Sequence, residues 1–248
     1  MTRILAVFNQ AGGVGKTTVT MNVGYHLAEA GKRVLLLDMD PQASLTTFMG
    51  VNPDKQEQTV YNALVDGVSF PICHDLHSMD LAPSNEDLSA AERMLSDEVL
   101  KELTLKNVLE PISGNYDFIL IDCPPSLGFL SISSLLAATH LLIPIETEYK
   151  ALEGTKQLIK TIHKVRKGNP LLSIAGIIPT IYNARLTQEK RNLEKIENTF
   201  KAATVFPAIP DRTDFANASQ AHLPLALYAP NNPAIPVLQQ IATKLGAL

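Results

Sequence analysis

Short, continuously apolar runs alternate along this chain with stretches of helical spacing. Arg3-Ile4-Leu5-Ala6-Val7-Phe8, Arg33-Val34-Leu35-Leu36-Leu37-Asp38, Phe118-Ile119-Leu120-Ile121-Asp122, His140-Leu141-Leu142-Ile143-Pro144-Ile145 and Ile174-Ala175-Gly176-Ile177-Ile178-Pro179 are the runs. Each has the length and unbroken hydrophobicity of a strand covered on both faces of a parallel sheet. Helical patterns fall between them, from Thr17 to about Ala30, where Gly31 stops the helix, and over 128–138, 151–167 and 187–200. Residues 50–115 predict short helices around 60–66, 86–95 and 98–110, with a brief strand near Leu81. The alternation predicts an α/β fold, a mainly parallel sheet with helices on both faces. No repeat, low-complexity tract or long linker divides residues 1–248, so a single domain is expected.

Composition agrees. Of 248 residues, 46% are hydrophobic and 19% charged, which supports a large core and excludes disorder as the main state. No apolar run reaches the roughly eighteen residues that a membrane-spanning helix needs. The opening Met1–Gln10 turns polar too early for a secretory signal. Two cysteines, Cys73 and Cys123, are too few for a disulfide framework or a zinc cluster. A cytoplasmic chain is expected. Charge divides it: residues 1–149 hold 8 basic and 19 acidic residues, and residues 150–248 hold 13 basic and 6 acidic. Such asymmetry points to an anionic partner for the basic part or to solvated helix faces.

The candidate chemistry begins after the first run. Gly12-Gly13-Val14-Gly15-Lys16-Thr17 lies between a strand and a helix. Glycines let backbone N–H groups approach phosphate oxygens, and the helix aims its positive end at the same place. Lys16 can reach the β and γ phosphates, and Thr17 can offer its hydroxyl to Mg²⁺. The match to G-x-x-x-x-G-K-[ST] is imperfect, because Gln10 stands where the first glycine would fall.

The chain resembles the ParA/MinD family of deviant Walker ATPases, whose loop reads K-G-G-x-G-K-T-T, here Ala11-Gly12-Gly13-Val14-Gly15-Lys16-Thr17-Thr18. Four further segments carry the resemblance: Leu37-Asp38-Met39-Asp40-Pro41-Gln42, Leu81-Ala82-Pro83-Ser84-Asn85, Ile121-Asp122-Cys123-Pro124-Pro125-Ser126-Leu127-Gly128 and Glu148-Tyr149-Lys150-Ala151-Leu152-Glu153-Gly154. It implies a P-loop NTPase fold, ATP hydrolysis with Mg²⁺, and a homodimer formed with ATP. It also implies that Gly12 through Thr18 hold the nucleotide, that Asp122 and Thr17 hold the metal, and that Asp38 orients the attacking water and supports the metal. Adenine would be held by Asn183 and by the Phe206–Arg212 loop, through Pro207, Pro210 and Arg212. Because the sequence starts at the first strand, the N-terminal DNA-reading domain of larger plasmid ParA proteins is expected to be absent.

The family lysine that would stand at position 11 is replaced by Ala11. Two triphosphates brought near one dimer interface need neutralising across it. Lys150, just past the strand ending at Ile145, is the candidate replacement, against the alternative of a plain surface residue. Loss of that lysine resembles the McdA branch, ATPases that distribute carboxysomes over the nucleoid. Lys156, Lys160, Lys164 and Lys167 recur on one helical face, and Lys190 and Arg191 add charge on the next helix. Without interleaved aromatics, this pattern suits phosphate contacts to duplex DNA rather than base stacking. The expected function is a positioning ATPase whose ATP dimer coats nucleoid DNA and is released when a cargo-bound adaptor, McdB-like or ParB-like, stimulates hydrolysis. The alternatives are plasmid or chromosome segregation, and a metabolic ATP-dependent ligase of the dethiobiotin synthetase type. MinD-type membrane attachment is not expected, because the C-terminal segment has one basic residue, Lys244, and its Val237, Leu238, Ile241 and Leu245 suit a core face.

Overall fold

Alternation within each apolar run decides which side chains meet which helix layer. The computed structural model describes residues 2–248, the side chains of 149–156 excepted. The strands are β1 (Arg3–Val7), β2 (Val34–Asp38), β3 (Cys73–Leu76), β4 (Met79–Ala82), β5 (Phe118–Asp122), β6 (His140–Glu146) and β7 (Ser173–Thr180). The helices are α1 (Lys16–Glu29), α2 (Ser44–Phe48), α3 (Val60–Val65), α4 (Ala91–Met94), α5 (Thr104–Ser113), α6 (Phe129–Ala137), α7 (Tyr149–Gly168), α8 (Thr187–Thr199), α9 (Thr213–Gln220), α10 (Leu225–Tyr228) and α11 (Ile235–Gly246). The described strands form one sheet in the order β3-β4-β2-β5-β1-β6-β7. All neighbours run parallel except the β3–β4 hairpin.

Two cores follow from the pleat. Ala6, Leu35, Leu37, Ile119 and Ile121 point to one face, where α3, α5, α6, α7 and α8 bring Leu64, Leu109, Leu135, Ile162 and Ile196. Leu5, Val7, Leu36, Phe118 and Leu120 point to the other, where α1 and α11 bring Val23, Leu27, Leu238, Ile241 and Leu245. The expected architecture is therefore present, with α7 and α8 within a residue or two of their predicted bounds. Three departures share one cause. The β3 strand, the helices α2, α9 and α10, and the break of 86–103 into short turns of helix ahead of α5 lie in segments too short to show a period.

Strand order places the ligand end. From β1 the chain crosses by α1 to β2, and from β5 it crosses by α6 to β6 on the other side of β1. The loops after β1 and β5 therefore part at their C-terminal ends, which opens a crevice there. One wall of that crevice is the strip 205–210, which runs beside β7: Phe206 N donates to Ile177 O at 2.8 Å and Ile209 N to Pro179 O at 2.8 Å. The strip lies close because Gly176 has no side chain. A Cβ there would stand 2.7 Å from Cδ2 of the buried Phe206 ring. Gly176→Ala is expected to lower stability by about 1–3 kcal/mol through overpacking, read as a lower urea midpoint at unchanged slope.

Candidate functional site

The loop after β1 is shaped by its own polar groups. Asn9 Nδ2 donates to Pro144 O at 2.7 Å, and Asn9 Oδ1 accepts from Ala11 N at 3.0 Å. Gly13 (φ 75°) and Gly15 (φ 84°) take left-handed conformations that a Cβ would oppose. Gly12 and Gly13 are exposed, while Val14 is buried and its carbonyl accepts from Thr180 Oγ1 at 2.9 Å. Gly15 caps α1, so the first N–H groups of that helix open into the loop. Lys16, 7% exposed, arches across it and donates from Nζ to Ala11 O at 2.8 Å. Burial lowers the Lys16 pKa, against the pull of Asp122, Cys123 and Asp40.

Two carboxylates lie opposite each other in register at the ends of β2 and β5, Asp38 beside Asp122. Both are buried. Asp38 is pushed up to about 6 by desolvation, against hydrogen bonds from Thr46 and Asp40. Its Oδ2 accepts from Thr46 N at 2.8 Å and Thr46 Oγ1 at 2.7 Å, and its Oδ1 from Asp40 N at 3.1 Å. Thr46 Oγ1 also accepts from Ser84 N at 2.9 Å, and Ser84 Oγ donates to Asp40 O at 2.9 Å. The 81–85 segment is thus the clamp that holds the Asp38 segment, a role its sequence does not announce. Desolvation and the Asp38 charge hold Asp122 well above the usual carboxylate range. Asp122 Oδ2 accepts from Thr17 Oγ1 at 2.6 Å, while Oδ1 is buried with no partner.

That orphaned oxygen beside a threonine hydroxyl suits a hard, oxygen-seeking cation. Among the described residues no three His, Cys, Asp or Glu side chains gather as a metal site. Of the three predicted metal residues, Thr17 and Asp122 adjoin. Asp38 faces α2, with both its oxygens already hydrogen-bonded.

A cleft of about 330 Å³ continues from the loop, lined by Gly13, Gly15, Thr18, Thr180, Pro210 and Arg212 among others. Phe48 of α2 and Phe215 of α9 also line it. The sequence did not single out these aromatics, because their helices are too short for a periodic signal. Ile181 is a third wall residue, a β-branched side chain at φ 54°. Pro207 and Asn183 are not among the lining residues: Pro207 sits behind on the strip, and Asn183 turns its Oδ1 to Arg185 N at 3.1 Å.

The basic positions lie elsewhere. Lys160, Lys164 and Lys167 are exposed on α7, whose Leu158, Ile162 and Val165 are buried, and Lys190 and Arg191 are exposed on α8. Lys150 and Lys156 lie outside the described side chains. Gln10 reaches from the loop to Thr161 of α7, Nε2 to Oγ1 at 3.4 Å.

Sequence comparison decides the family. The AAA domain family pattern matches residues 2–174. The sporulation initiation inhibitor protein Soj of Bacillus subtilis is 38% identical over 251 residues, covering 100% of this chain and 99% of Soj. The chain belongs to the ParA/MinD-type Walker ATPases. A Mycobacterium smegmatis structure described as cobyrinic acid a,c-diamide synthase, with bound ATP analogue and magnesium, superimposes at TM-score 0.89 and 34% identity, covering 99% of this chain and 94% of that one. Apo McdA from Cyanothece superimposes at TM-score 0.89 over 99% of this chain and 100% of its own, at 24% identity, a likeness of fold. As a member of this family the chain is an ATPase. No described helix is long and apolar enough to cross a membrane.

The Asp38 clamp yields a test. Thr46→Val keeps volume but strips the hydroxyl that joins Asp38 to Ser84 N, leaving a buried N–H unpaired. It is expected to destabilise the protein by about 1–3 kcal/mol, measured by urea unfolding.

Proposed function

We propose that this chain is an ATP-switched ATPase that positions a cargo over nucleoid DNA. The Thr17–Asp122 pair carries the reading: a hydroxyl and a half-unpartnered buried carboxylate at the foot of a glycine cradle, in a chain that matches Soj from end to end. The N–H groups of residues 12–16 and the positive end of α1 hold the phosphates. Lys16 exchanges its neutral acceptor, the Ala11 carbonyl, for a phosphate oxygen, a charge-assisted and stronger bond. Thr17 Oγ1 and Asp122 Oδ1 would hold Mg²⁺, which would supply charge neutralisation for phosphoryl transfer. Asp38 is kept in place by Thr46 and orients the attacking water. The cleft between Phe48, Pro210, Arg212 and Phe215 takes the base.

Ala11 brings no charge to the facing subunit of a homodimer, and Lys150 is the residue proposed to do so. ATP closes two copies, and the doubled Lys160, Lys164, Lys167, Lys190 and Arg191 surface, with Lys156, then binds duplex DNA through its phosphates. A cargo-bound adaptor of the McdB or ParB kind stimulates hydrolysis and release. Carboxysomes are the cargo suggested by the missing lysine, which this chain and the McdA branch share; a plasmid or chromosome complex is the cargo suggested by Soj.

The second reading is a metabolic ATP-dependent ligase, favoured by the name of the M. smegmatis neighbour. Gel retardation of duplex DNA separates the two. Retardation with ATP, but not with ADP or without nucleotide, is expected for the positioning ATPase, and no retardation in any state at low salt belongs to the ligase. Lys160→Glu with Lys164→Glu is expected to weaken ATP-dependent binding by about tenfold or more and to flatten its salt dependence, with ATP affinity unchanged. Lys150→Ala is expected to lose ATP-dependent dimerisation in light scattering. Unchanged dimerisation and turnover would exclude the lysine from that role.

A further inference from the structure

A continuous set of hydrogen bonds leaves the phosphate loop and ends on α8. Val14 O accepts from Thr180 Oγ1 at 2.9 Å, and Thr180 O accepts from Thr147 N at 3.2 Å. Thr147 Oγ1 in turn stands 3.0 Å from Glu189 Oε2, and that same oxygen accepts from Asn183 N at 2.6 Å. One turn along α8, Asn192 Nδ2 donates to Thr147 O at 3.0 Å. Thr147, Thr180 and Asn192 are buried, so water offers little competition for these bonds.

The position of this set in the fold gives it meaning. Thr147 stands two residues before α7 begins, and Glu189 is the third residue of α8. One carboxylate oxygen therefore fastens the starts of both basic helices to the wall of the nucleotide cleft. Between Thr180 and Asn183 lies Ile181, which lines that cleft at φ 54°. A β-branched residue holds that conformation only where its surroundings impose it. The restraints are on both sides: Thr147 Oγ1 stands 3.4 Å from Ile181 O, and Tyr182 N donates to Ile209 O at 3.0 Å. Relaxation of Ile181 to negative φ would turn its carbonyl from Thr147 and carry the Asn183 N–H off Glu189. Such a relaxation would give the segment a second arrangement, on which both the cleft and the helices would bear.

We infer that Glu189 is a positioning residue that couples the nucleotide state of the cleft to the placement of α7 and α8, and so to DNA affinity. The inference rests on the proposed function, in which those helices hold DNA when ATP is bound. Glu189 acts through acceptance of two hydrogen bonds, not through charge on the DNA. A glutamine at this position keeps the acceptor and an alanine does not. The coupling is a ratio, DNA affinity with ATP over DNA affinity with ADP, and couplings of this kind span roughly 5- to 150-fold.

Fluorescence anisotropy of a labelled duplex, with the full chain in ATP and in ADP, measures that ratio, and a fluorescent ATP analogue measures nucleotide affinity. Glu189→Ala is expected to bring the ratio to within about threefold of unity while nucleotide affinity stays within about threefold of the parent. Glu189→Gln is expected to keep most of the ratio. This separates an acceptor from a carboxylate that merely favours the first turn of α8, because loss of charge alone would make both variants alike. Thr147→Val, which removes the other side of the bond, is expected to shift the ratio in the same direction and provides the measurement if Glu189→Ala does not fold. A parental ratio in a folded Glu189→Ala or Thr147→Val overturns the inference and leaves the proposed function standing. A parent protein that binds DNA equally in ATP and ADP removes the proposed function and the inference with it.

Discussion

Burying two carboxylates side by side is costly, and the site is organised around that cost. Asp38 and Asp122 end adjacent strands in register, with almost no exposure. Desolvation disfavours the charged forms of both, reinforced at Asp122 by the Asp38 charge and at Asp38 by Asp40. The surrounding structure compensates asymmetrically. Asp38 receives three hydrogen bonds from Thr46 and Asp40, whereas Asp122 receives one from Thr17 and stands near the buried Lys16 ammonium. The better-satisfied acid is fixed in orientation. The less satisfied one retains a lone buried oxygen, which a cation can complete. Environment alone thus sets two identical side chains apart.

The same compensation builds the walls. Holding Asp38 requires α2 at the end of the second βαβ turn, and α2 brings Phe48 to the cleft two residues after Thr46. Holding Thr46 requires Ser84, so the end of β4 is drawn to the site although β4 lies beyond β2 in the sheet. On the opposite flank, Thr180 joins β7 to the phosphate loop, and the close Gly176–Phe206 approach lays the 205–210 strip along β7. The cleft is therefore made by segments that arrive from three parts of the chain, each for a packing or hydrogen-bonding reason of its own.

Charge and architecture then divide the labour. The acidic first part supplies the phosphate loop and both buried carboxylates, and the basic second part supplies the far wall of the cleft together with α7 and α8. These helices bury Leu158, Ile162 and Ile196 and leave Lys160, Lys164, Lys190 and Arg191 in solvent. Exposed cations of this kind contribute little to stability. They are free to serve contacts outside the chain, while the buried polar residues at the helix starts connect them to the site.

What was legible in the sequence was local. The glycine loop, Lys16 and Thr17 declare themselves by type and spacing, the family resemblance adds Asp38 and Asp122, and five apolar runs with their intervening helices declare the layered sheet, because periodicity and backbone freedom are properties of neighbouring residues. The family resemblance extended this to Pro210 and Arg212, which line the cleft, and to Asn183 and Pro207, which do not. Phe48, Thr180, Ile181, Phe215 and the Thr147–Glu189 pair had no local mark. Their helices are a turn or two long, or their partners lie from 33 to 166 residues away in the chain, and such separations carry no pattern that a linear reading can see. Sequence alone determined which residues could grip a phosphate and which runs would stack as strands. Only the tertiary structure decided which carboxylate keeps a free oxygen and which carboxylate ties the basic helices to the cleft, because burial and hydrogen-bond partners are set by what folding brings from far along the chain.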